Sequence, residues 1–156
     1  PLLCISSFLQ AQVTKSVGIW RAGGFRTESL TALYRNSTIM IHYMGNDNTY
    51  SELIEIVTLY FGTPKDFYTF LVAVENFATE NKDMEAKTDL SKIIDGHTVS
   101  LSRVSAMGGK GMLTITIYEE DKEGRGYHSF FPKWITQAKT AFIEWATKNK
   151  VSIYGS

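Results

Sequence analysis

Apolar and polar positions alternate in short runs along most of the chain, and twice the alternation gives way to helical spacing. Ile39, Ile41 and Tyr43 are interleaved with Thr38, Met40 and His42, a period of two that predicts a strand with one apolar face. Residues 53–61 are rich in β-branched and aromatic side chains and predict a strand that runs directly into Thr63. Further along, Val99 and Leu101 alternate with Ser100 and Ser102, and Leu113, Ile115 and Ile117 alternate with Thr114, Thr116 and Tyr118. Residues 127–131 then lead into Pro132, and residues 17–22 and 29–34 predict two weaker strands near the start.

The two helical segments follow the same plan. Phe67, Phe70, Leu71, Val74, Phe77 and Ala78 recur at the spacing that places them on one helix face. Thr63 is a suitable N-cap, Pro64 at the first helical position loses no hydrogen bond, and Asp66 can bond back to the cap. In the second segment Ile135, Ala138, Ala141, Phe142 and Trp145 form the apolar stripe, and Lys148 and Lys150 suit the negative end of the helix dipole. Phe131, which precedes Pro132, has no oxygen with which to cap.

Pro64-Lys65 aligns without a gap on Pro132-Lys133, and the run from Phe77 to Lys82 aligns on the run from Trp145 to Lys150. This internal repeat organises the chain. The expected fold is α+β, with two repeats of an antiparallel β-sheet followed by one amphipathic helix packed on the sheet. Residues 12–82 form the first unit, 83–95 a charged linker and 96–156 the second, within one compact domain. Turns are expected at Gly45-Asn46-Asp47-Asn48, at Gly108-Gly109-Lys110-Gly111 and at Asp121-Lys122-Glu123-Gly124.

The start of the chain changes the picture. Leu2, Leu3, Cys4, Ile5, Phe8 and Leu9 form a short uncharged apolar run that ends near the small Ala11. That pattern is expected of a bacterial secretory signal in residues 1–11, with a mature, extracytoplasmic protein beginning at Gln12. The run is too short to cross a bilayer, and no other apolar segment is long enough for a membrane helix.

Composition excludes several classes. In 156 residues, 16 basic and 16 acidic side chains give zero formal charge, which argues against a strong non-specific nucleic-acid or membrane-surface binder. The 44% hydrophobic content supports a folded core, and one cysteine excludes a disulfide framework or a cysteine-based zinc site. His42, His97 and His128 fall on separate strands without metal-ligand spacing and are expected to be half-exposed strand residues. The glycine-rich loop before Met112 has Gly where a phosphate-binding loop needs Ser or Thr, and the loop after Gly45 has no closing carboxylate for calcium. No catalytic residue, metal or cofactor is assigned.

Candidate binding chemistry lies on the sheet faces turned away from the helices. With Val57, Leu59 and Phe61 turned inward, Thr58 and Tyr60 turn outward. With Leu113, Ile115 and Ile117 inward, Met112, Thr114, Thr116 and Tyr118 turn outward. Tyr60, Tyr118, His128 and Phe130, with Arg103 for charge, are the candidate ligand-binding residues of this open face, and Tyr43 is a further contributor. The competing expectation is that the face is buried against the other unit or a second copy of the chain.

The passage from a last strand into a helix through Phe61-Gly62-Thr63-Pro64-Lys65, and again through Phe130-Phe131-Pro132-Lys133, resembles in layout the β-β-β-β-α units of the Whirly, Pur-alpha and positive-cofactor-4 families. The resemblance covers most of residues 37–150. It implies curved antiparallel sheets that bind single-stranded nucleic acid. Three function classes follow. The first is an exported, non-catalytic protein that binds a protein partner or small ligand, or self-associates as a homodimer. The second is a single-strand nucleic-acid binder of the resembled type. The third is a hydrolase assembled from dispersed His, Ser and Asp residues, for which no motif is present.

Overall fold

The computed structural model describes residues 15–22, 28–47, 53–104, 111–119 and 125–154. Four strands, β1 (Lys15–Ala22), β2 (Glu28–Arg35), β3 (Thr38–Asp47) and β4 (Leu53–Tyr60), precede helix α1 (Pro64–Glu80). Four more, β5 (Asp89–Ile94), β6 (His97–Val104), β7 (Met112–Glu119) and β8 (Arg125–Phe130), precede α2 (Pro132–Asn149). The fold is therefore α+β, and each repeat contributes an antiparallel β-β-β-β-α unit.

Two boundaries differ from the sequence expectation. The stretch 83–95 is not wholly a linker, because it contains β5. That strand lies at one end of the sheet path, and only its last residue, Ile94, is buried. Its exposed Ser91, Lys92 and Ile93 leave no clean alternation to read, so backbone pairing with β6 holds it in place. Gly45, Asn46 and Asp47 are not a turn but the end of β3, where the register shifts between Gly45 and Asn46. Glycine and asparagine tolerate such an irregularity, and the turn signal reports it. The expectations placed on residues 1–12, 108–110 and 121–124 lie outside the described residues.

The strands join in the order β1-β2-β3-β8-β7-β6-β5, with β4 paired to β3 off this path. Asn46 pairs with both Leu53 of β4 and Tyr127 of β8, so these two strands occupy opposite edges of β3. Met40, Ile41 and His42 likewise pair with both β2 and β4. Hence β2 and β8 share one edge of β3, and β8 takes over where β2 ends. Through that short pairing the strands of the two units become one sheet.

Each sheet hands over to its helix at a defined point. Phe61 N–H donates to the Ile39 carbonyl at 2.9 Å, and Ile39 N–H donates to the Gly62 carbonyl at 2.9 Å, so the ladder continues past β4. Gly62 then turns the chain with φ of 64°, and an added Cβ would sit 2.9 Å from the capping carboxylate of Asp66. The Thr63 hydroxyl accepts from the Asp66 N–H at 3.3 Å, and the Thr63 N–H donates to Asp66 Oδ2 at 2.8 Å, which completes the expected capping box. In α2, Phe131 makes no side-chain cap. Hydrogen bonds from Thr63 hold the Asp66 carboxyl below its ordinary value. A depressed carboxyl stabilises the fold above the unfolded-state value, and that contribution is lost as pH falls through the folded value. Thr63→Ala should cost about 1 kcal/mol by urea unfolding at neutral pH. The difference from the unsubstituted chain should narrow on acidification into the range where Asp66 protonates.

One core serves both units. Phe61, Phe67, Phe70, Leu71 and Val74 from the first unit are buried in the same cluster as Val99, Leu101, Ile115, Ile135 and Phe142 from the second. The helices run antiparallel, since Phe67 meets Phe142 edge-on at 4.9 Å while Glu75, two turns further on, reaches Thr136 and Lys139. Thr136 donates to Glu75 Oε1 at 2.6 Å and Lys139 to Oε2. These bonds, Lys139 foremost, lower the Glu75 carboxyl from its usual range. The pairing also crosses units at Tyr34 of β2, whose ring packs edge-on to Trp145 of α2 at 5.4 Å. After α2, Lys150 adopts a left-handed conformation, Val151 N–H returns to the Ala146 carbonyl, and Ile153 is buried.

Candidate binding surface

Strand parity decides which side chains leave the core. In β4, Leu59 is 2% exposed and its neighbour Tyr60 is 58% exposed, so Leu59 turns inward and Tyr60 outward. Tyr60 pairs with Met40, which pairs with Leu33, and the three form a cross-strand row on the outward face of β2, β3 and β4. In β7, Ile115 and Ile117 are buried, whereas Met112 is exposed and Thr114, Thr116 and Tyr118 are half-buried. Tyr118 pairs with Thr98, which pairs with Ile93, giving a second row on β5, β6 and β7.

Hydroxyl groups surround Tyr118. Its phenol lies 3.2 Å from Ser100 Oγ, which lies 2.6 Å from Ser91 Oγ. Ser91, Ser100 and Thr116 are in register across three strands, as are Asp89, Ser102 and Thr114. Exposed Ile93, Val104 and Met112 border these rows. The surface therefore combines one aromatic ring, a lattice of hydroxyls and an apolar margin. Such a surface can stack on a flat apolar or aromatic group and exchange hydrogen bonds beside it. The part contributed by β5 was not legible in the sequence, because that strand was hidden in a charged stretch.

Two of the expected site residues, Phe130 and Arg103, are placed otherwise. Phe130 is 4% exposed and belongs to the core. It pairs with Ile115, and opposed residues in an antiparallel pair share a face, so the end of β8 turns its aromatic inward. His128 occupies the register position opposite Ile117, and its side chain lies outside the described ones. Arg103 pairs with Leu113 on the inward parity of β6, and its guanidinium donates to the carbonyls of Gly111, at 2.8 Å, and Lys82. It ties the turn after α1 to the β6–β7 connection instead of offering charge to a ligand. Tyr60 and Tyr118 remain as the outward aromatic residues of the candidate set, on different parts of the sheet.

His97 also departs from expectation. It is 5% exposed, stacked on Phe61 at 4.4 Å and edge-on to Phe70 at 5.4 Å, with Nδ1 2.8 Å from the Asp95 carbonyl. It is a core histidine with a backbone partner, positioned where β6 of the second unit meets β4 and α1 of the first. Among the described residues, no group of three or more His, Cys, Asp or Glu side chains gathers as a metal site. No helix among them is long and apolar enough to cross a membrane. No protein-family model matches the chain, and no curated protein matches it in sequence.

Proposed function

We propose that this is a non-catalytic binding protein whose working surface is the outward face of the sheet. The observation that carries the reading is the pair of outward rows, one in each unit. Each lines a tyrosine up with an apolar side chain: Leu33–Met40–Tyr60 in the first and, across the intervening Thr98, Ile93–Thr98–Tyr118 in the second. Two such rows suit an extended ligand or partner that touches both units. Tyr60 contributes little to the core, so its replacement separates binding from folding.

A panel of extended peptides, neutral glycans and labelled single-stranded oligonucleotides, titrated against the full chain, tests the reading. The expected result is a ligand whose affinity falls at least about tenfold in Tyr60→Ala or Tyr118→Ala, the loss of one good aromatic contact. Circular dichroism of both variants should match the unsubstituted chain. A ligand whose binding ignores both substitutions would contradict the assignment of this face.

The tandem β-β-β-β-α layout favours a second reading, single-stranded nucleic-acid binding on the same face. It predicts that oligonucleotide affinity falls steeply with salt, because phosphate contacts release counterions. The zero formal charge of the chain favours the first reading over this one. Oligonucleotide binding absent at low salt would remove the second reading and leave the first standing.

A further inference from the structure

We draw no further inference here: the strongest candidate, the hydroxyl-lined outward patch of β5, β6 and β7 around Ser91, Ser100 and Tyr118, belongs to the surface already described, and nothing in the structure shows what covers it.

Discussion

Replacing Phe61 by alanine should destabilise the protein by about 3–5 kcal/mol, the range for deleting a fully buried aromatic ring. Phe61 is 1% exposed and packs against Phe67 at 5.0 Å, Phe70 at 4.7 Å and His97 at 4.4 Å. The first two contacts belong to its own unit and the third to the other. The cavity would therefore open at the seam between units. Local relaxation is restricted there, because Phe61 is also hydrogen-bonded through its backbone to Ile39. Equilibrium urea unfolding should show a lower midpoint with both units still melting in one transition. A variant whose second unit keeps its original midpoint would show that the seam is not part of a common core.

The second large effect concerns the dependence of one unit on the other. A chain ending at Lys82 keeps β1 to β4 and α1 but loses α2, which packs against α1 and β1. Phe67 then loses Phe142, Tyr34 loses Trp145 and Phe61 loses His97. The apolar faces of α1 and the first sheet would be left in water. The truncated chain should fail to fold as a monomer, either remaining unfolded or associating to restore the missing half. Size-exclusion chromatography with near-ultraviolet circular dichroism distinguishes these states. A monomeric truncation with cooperative unfolding would contradict the shared core.

Much of this fold was legible in the residues. The period-two runs at Ile39–Ile41, Val99–Leu101 and Leu113–Ile117 mark strands with one inward face, and the structure buries all of these inward residues except Leu113, which is half-buried against the core. Thr63, Pro64 and Asp66 state the start of α1 in local chemistry, because capping depends on neighbours within four residues. Strand β5 was not legible, since an edge strand with one buried residue carries little hydrophobic alternation. Pairing with β6 creates it, and pairing is not local.

The candidate face was legible only in part, for a related reason. Parity within β4 and β7 sets Tyr60 and Tyr118 on the opposite face from the buried Leu59 and Ile117, because each strand carries its own alternation. Placing Phe130 requires the register of β8 against β7, which a single strand does not encode when aromatic residues occupy both parities. Arg103 illustrates a third limit. A basic residue at the end of a strand suggests ligand charge, yet its hydrogen bonds go to carbonyls brought close by the fold at Lys82 and Gly111. The burial of His97 likewise follows from contact between units.

On the proposed reading, the sheet buries a core on one face and presents a surface for a partner on the other. The most direct measurement is nuclear magnetic resonance of the full chain with a soluble paramagnetic probe. Side-chain signals of Tyr60, Ile93, Val104 and Met112, each more than half exposed, should broaden strongly, while those of Val99, Leu101, Ile115 and Phe142 stay sharp. Protection of Ile93, Val104 and Met112 from the probe would overturn the proposed binding face, because that face would then already be covered in the isolated protein.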